Sequence, residues 1–217
     1  MNLQQQIKAS SFDPNFLWGV AISALQNEGA FLADGKGLFN WDVFARRSGK
    51  IKGGAKPSIA NDFYYRYKDD LMLVKALGIA FYHQLIDECL LLGLTPYVTL
   101  YHWDLPHELE KVGGWAHHQM LKWFSRYVKI CTDEFGDKVK DWIILNEPMG
   151  FTSLGYMLGQ HPPGKTNLTL FMSAIHNAAL CNAEGGRIVR AEVSNAHIGT
   201  CFSCSEICLL QKKRKIY

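Results

Sequence analysis

Asp141-Trp142-Ile143-Ile144-Leu145-Asn146-Glu147-Pro148 is the stretch whose reading decides the fold. Trp142 to Leu145 is an apolar, partly β-branched run, long enough for a buried strand and too short for a helix. Pro148 cannot donate to a sheet ladder and biases Glu147 toward an extended backbone. The strand is therefore predicted to stop with the Glu147 carboxylate displayed at its C-terminal tip. In a parallel α/β fold that tip is where ligands bind. A second apolar run, Leu94 to Leu100, also ends in polar and aromatic groups before a proline, Tyr101-His102-Trp103-Asp104-Leu105-Pro106. Two such strand ends make a candidate site.

Outward from these strands the chain alternates. Phe16 to Ala21 reads as a first strand, followed by Gln26 and Glu28 in a loop. Gly35 to Lys56, which carries Asn40-Trp41-Asp42, reads as a long surface loop. Ser58, Asn61 and Asp62 offer helix caps, and Tyr64, Tyr67, Leu71 and Val74 recur at helical spacing up to Gly78. Ile79-Ala80-Phe81-Tyr82 should begin a second strand, yet His83 to Gly93 is already an amphipathic helix and no loop separates the two. Strand-to-helix connections usually need about 2 to 6 residues, so the chain is interrupted here. Leu121 to Phe135 is predicted as a helix, Gly155 to Gly164 as a loop, and Thr166 to Glu192 as a helix weakened by Gly185-Gly186. Ala196 to Thr200 should be a fifth strand. Such alternation implies an α/β fold with a parallel sheet.

Composition narrows the function classes. Hydrophobic residues make up 48% and aromatic residues 12% of the 217 residues, which is the balance of a globular chain. The formal charge of +3 depends on Lys212, Lys213, Arg214 and Lys215, and without that cluster the balance turns slightly negative. No basic face recommends nucleic acid as a partner, and the terminal cluster reads as a solvated tail rather than a nuclear address. No apolar stretch approaches the roughly 18 residues of a membrane span, and the N-terminus lacks a secretory pattern, so the expected location is cytoplasmic and no membrane partner is expected. Cys89, Cys131 and Cys181 fall in helical stretches as small core residues. His197, Cys201, Cys204 and Cys208 have the spacing of a metal site but no Gly or Pro between the cysteines to turn the chain, so no metal is expected.

Phe16-Leu17-Trp18-Gly19-Val20-Ala21, Gln26-Asn27-Glu28-Gly29, Tyr101 to Pro106 and Leu145-Asn146-Glu147-Pro148 resemble, in order, the signatures of glycoside hydrolase family 1, the β-glucosidase family. The resemblance runs from about Phe12 to about Ser205 and covers the family's N-terminal half. It implies an incomplete (β/α)₈ TIM barrel over residues 1–205, with about five parallel strands and intervening helices, followed by a basic tail over 206–217. The break after Tyr82 falls where the family has its second-strand end, a loop and the start of the next helix.

By resemblance the reaction is retaining hydrolysis of β-linked glucosides or galactosides without a cofactor. A β-glycoside or oligosaccharide would be the partner. Glu147 would be the acid/base, Asn146 would contact the sugar 2-hydroxyl, Gln26 and His102 other sugar hydroxyls, and Trp103 would wall the pocket. Retention needs a second carboxylate about 5 to 5.5 Å from the first. The family carries it in a Thr-Glu-Asn-Gly-like strand end that this sequence does not contain. The acids after Glu147 are Glu184, Glu192 and Glu206, and none ends an apolar strand. Without that neighbour Glu147 should be ionised at neutral pH. The chain by itself is expected to be inactive, either a sugar-binding fragment or a non-functional product, with an open sheet edge through which it could self-associate.

Overall fold

The computed structural model describes residues 19–21, 23, 26, 37–52 and 79–203. The expected first strand falls mostly outside these residues, and Gly19 to Ala21, which are described, are not in a strand. The expected helix up to Gly78, along with Cys204, Glu206, Cys208 and the basic tail, also lies outside them.

Three parallel strands form the described sheet in the order β1 (Tyr97–Tyr101), β2 (Asp141–Asn146), β3 (His197–Cys201). Tyr97 pairs with Asp141 and Asp141 with His197, so the strands start level and their C-terminal ends open on one side. Helices connect them as the alternation requires. Between β1 and β2 lie a short helix, His107–Lys111, a 3₁₀ turn at Gly114–Ala116 and the long helix Met120–Phe135. A helix at Pro148–Thr152, a π-helical turn at Ser153–Met157 and the helix Leu168–Glu192 connect β2 to β3. In chain order the α-helices are α1 (Asn40–Phe44), α2 (Ile79–Leu91), α3 (His107–Lys111), α4 (Met120–Phe135), α5 (Pro148–Thr152) and α6 (Leu168–Glu192).

The core lies between the sheet and helices α4 and α6. Trp142, Ile144 and Leu145 of β2 are buried, as are Phe124, Val128 and Phe135 of α4 and Ala174, Ala178, Cys181 and Val189 of α6. Burial raises the thiols, Cys131 to about 11 and Cys181 to about 12, so both behave as apolar packing groups. Beneath the strand ends Trp115 packs against Tyr101, Phe124 and Phe151, with ring centroids 4.8, 5.8 and 4.9 Å away. Buried Asn177 of α6 fixes that turn by donating to the carbonyls of Trp115 and His117 at 2.8 and 3.0 Å.

Three sequence expectations are corrected. Ile79 to Tyr82 is not a strand but the first turn of α2. Without a loop before His83, extending an existing helix by a turn costs less than nucleating a separate element. Phe81 and Ile86 of α2 are buried, and the His83 ring meets Glu134 at 3.1 Å and Phe135 at 4.9 Å on α4. The described sheet holds the third, fourth and fifth of the expected strands, the first lying mostly outside the described residues. Residues 37–52 are not merely a surface loop, because α1 buries Asn40, Asp42 and Phe44 and the segment bridges to Pro106. Gly155 to Met157 continues a helical path rather than starting a loop.

Gly185-Gly186 does not interrupt α6, which runs for 25 residues. A Cβ on Gly185 would come within 2.7 Å of the Ile144 Cγ2 methyl and 3.3 Å of the Phe124 ring. The residue is the point of closest approach between α6 and β2. Gly185→Ala is accordingly expected to lower stability by about 1–3 kcal/mol through overpacking, despite alanine's better helix propensity. Urea unfolding checks the sign.

Candidate active site

Asn146 closes β2 and Glu147 follows it, half-buried, at the C-terminal end of the sheet. Glu147 is not extended. Its φ of 48° and ψ of 63° place it in the left-handed region, which corrects the expectation drawn from Pro148. The reason is that Pro148 is the first residue of α5, where its fixed φ suits the helix and its missing N–H is no loss. The chain must turn from strand into helix within one residue, and Glu147 takes the whole turn. Its N–H donates to the Cys201 carbonyl of β3 at 2.9 Å and its carbonyl accepts from Phe151 at 3.2 Å, so both backbone groups are satisfied.

Trp103, two residues past the end of β1, is also left-handed, with φ 78°. A bulky residue in that region costs on the order of 1–3 kcal/mol and persists only where the surroundings impose it. Here its indole N–H donates to the Asn146 carbonyl at 2.8 Å, which ties the tip of β1 to the tip of β2. Gly150 of α5 leaves room for both side chains: a Cβ there would lie 3.0 Å from the Trp103 ring and 3.2 Å from Glu147 Oε2. His102 is half-buried just beyond β1, its ring 6.2 Å from that of Trp103. Thus Glu147, Asn146, Trp103 and His102 are gathered at two adjacent strand ends. Gln26 is exposed in a helical turn, its N–H donating to Ser23 at 3.2 Å, and no hydrogen bond links it to the other four among the described residues.

Behind Trp103 lies a narrow pocket that sequence reasoning did not single out. It is lined by Trp41, Tyr101, Trp103, Glu110, Tyr156 and His161, among others. The His161 ring stands 5.3 Å from Trp103 and 5.0 Å from Trp41, joining α1 to the strand tip. Burial pushes His161 below its ordinary value, so its imidazole is neutral, and its Nδ1 has no hydrogen-bond partner in the described structure. Burial also raises Glu110, to about 7, opposed more weakly by Lys165, the Tyr156 hydroxyl and Arg47. Glu108 and Glu110 flank Leu109 in one short helix, and their spacing alone could not say which faces inward. His161 had a signal in its position before Pro162-Pro163.

The acids that follow Glu147 in the described chain do not approach it as a second catalytic carboxylate would. Glu184 and Glu192 are both on α6, where Glu184 pairs with Arg187 and Glu192 with Lys129. At the opposite, N-terminal end of the sheet, His197 meets Asp141 at 3.0 Å. Cys201 closes the same strand, four residues away and so about 13 Å along it, too far to share a metal with His197. No group of three or more potential metal ligands occurs among the described residues. Nor is any described helix long and apolar enough to cross a membrane.

A parallel sheet with intervening helices, whose strand ends carry a carboxylate, an amide, an imidazole and an indole, has the arrangement in which α/β barrels place their ligand sites. The family model for glycosyl hydrolase family 1 matches residues 8–80 and 74–215. The chain belongs to glycosyl hydrolase family 1. Its two matched segments overlap at 74–80, just ahead of the expected break after Tyr82.

Beta-glucosidase A of Thermotoga maritima is 35% identical, over 91% of this chain and 50% of that protein. A 1,4-beta-D-glucan glucohydrolase of Thermotoga neapolitana is 34% identical, over 88% and 51%. The structure of the Thermotoga maritima beta-glucosidase in complex with noeuromycin superposes with a TM-score of 0.83 at 35% identity, covering 88% of this chain and 49% of that one. The fold is therefore that of part of a family 1 TIM barrel. The chain spans about half the length of these curated relatives.

Proposed function

We propose that this chain carries the acid/base half of a retaining β-glucosidase site, binds β-linked glucosides weakly, and does not hydrolyse them by itself. The observation that carries the reading is the pair of left-handed residues Trp103 and Glu147 on adjacent strand tips, joined through the 2.8 Å bond from the Trp103 indole to Asn146. Strain of this kind concentrates where a side chain must be aimed at a ligand. Trp103 offers an apolar face for the CH groups of a pyranose, while Asn146 and His102 offer polar atoms for its hydroxyls. Gln26 is assigned to the same sugar subsite on the strength of the family motif in which it stands. In the family's reaction the residue at the Glu147 position donates a proton to the leaving oxygen, but the covalent step needs a second carboxylate on the other face of the sugar. Glu184 and Glu192 are held in ion pairs on α6, which supports the inactive reading.

Methyl β-glucoside titrated into the protein, followed at the Trp103 indole N–H resonance, tests the binding claim. A saturable shift with a weak dissociation constant is expected, reduced at least tenfold in affinity in His102→Ala and in Asn146→Ala. No saturable shift from folded protein, or undiminished affinity in both variants, would overturn it.

A further inference from the structure

Glu110 is a half-buried carboxyl group set among aromatic rings. It shares its pocket with Tyr101, Trp103, Trp115, Phe151 and Tyr156, and no ion pair reaches it among the described residues. Among the described residues its carboxyl accepts one hydrogen bond, from the Tyr156 hydroxyl to Oε2 at 3.5 Å. That hydroxyl in turn accepts the Trp115 N–H at 3.0 Å. Gly114, left-handed at φ 53°, makes the approach possible, since a Cβ there would lie 2.6 Å from Glu110 Oε2 and 2.7 Å from the Tyr156 oxygen. Carboxyl, hydroxyl and turn are thus packed as one unit beneath the Trp103 wall.

The same pocket is closed from above by a clasp between two segments far apart in sequence. Arg47 donates to the Pro163 carbonyl at 3.1 Å and Lys50 to the Gly159 carbonyl at 3.3 Å. Trp41 sits against His161, and Phe44 packs on Gly164. The charged and titratable groups around Glu110 are Arg47 from the segment after α1, Tyr101 from β1, Tyr156 from the π-helical turn, and His161 and Lys165 from the loop before α6. Both cations belong to the two clasp segments.

We propose that Glu110 is a proton-operated positioning residue: with its carboxyl protonated the clasp stays packed on the pocket behind Trp103, and loss of the proton loosens that packing. An ionised carboxylate among aromatic rings must gain water or move toward Lys165 and Arg47. Either response shifts Trp41, His161 and Trp103. Burial of the group, which holds its proton to about pH 7, agrees with this geometry. The device acts without sugar, so its test is independent of the proposed glycosidase reading.

The test is a pH series from about 5.5 to 8.5 on the intact chain, reading the infrared band of a protonated carboxylic acid together with near-ultraviolet circular dichroism. Wild type should show the acid band and lose it with a midpoint near pH 7, and the aromatic dichroism should change with the same midpoint. Glu110→Gln should lack that band and give a flat dichroism profile that matches the wild-type spectrum at low pH. Tyr156→Phe, which removes the hydrogen bond favouring the ionised form, should raise the midpoint. A dichroism transition unchanged in Glu110→Gln, no acid band at pH 6, or a midpoint lowered in Tyr156→Phe would each overturn the proposal.

Discussion

Trp115→Ala is expected to lower stability by about 3–5 kcal/mol, the range found for removing a large aromatic side chain from a packed core. Trp115 is 1% exposed and touches three other rings, so the cavity cannot be filled by one neighbour moving in. Its backbone is held as well, with the N–H on Tyr156 and the carbonyl on Asn177, and the surrounding turn therefore resists collapse. A loss of that size is a large part of the whole stability of an ordinary domain. Urea denaturation should find a much lower midpoint, with Trp115→Phe recovering most of the loss. A change below 1 kcal/mol would mean that this aromatic cluster is not the anchor beneath the strand ends.

The second large effect is a dependence of stability on pH that belongs to Glu110. Its folded-state value of about 7 lies above the ordinary 4.5. Between those values the folded chain holds a proton that the unfolded chain has released, so stability is greatest at or below about pH 4.5 for this group. It falls as pH rises toward about 7 and levels off above. At 1.36 kcal/mol per pH unit the full fall is on the order of 3 kcal/mol. Other groups titrate over the same range, and the comparison that isolates Glu110 is wild type against Glu110→Gln. The variant should be less sensitive to pH between 5 and 8 by roughly that amount. Equal slopes for the two proteins would show that the carboxyl is not held out of water.

Much of this architecture was legible in the residues, because β2, α4, α6 and the helix after His83 follow from apolar period and length. Two of the four motifs, Tyr101 to Pro106 and Leu145 to Pro148, stood out for the same reason that the strands were visible: each ends an apolar run abruptly in polar groups. What escaped the sequence was set by contacts remote along the chain. The strand propensity of Ile79 to Tyr82 lost to the helix that follows it directly. Pro148 favours an extended Glu147 only as a local rule, and α5 and the hydrogen bond to Cys201 impose a different backbone. Gly185 reads as a helix breaker in isolation and as a contact requirement once Ile144 stands against it. Trp41, Glu110 and His161 converge from three separate segments, and no local pattern announces that they meet.

The central claim is that the family's acid/base side of the site is present while the second carboxylate is not. Hydrolysis of an aryl β-glucoside by the purified chain, run beside Glu147→Gln, tests it most directly. Aryl leaving groups depart readily even without a good general acid, so the substrate reports on a working nucleophile. The account predicts no turnover above the Glu147→Gln control from folded protein that still binds methyl β-glucoside. Turnover that Glu147→Gln abolishes would contradict it, and would mean that another acid of this chain attacks the sugar.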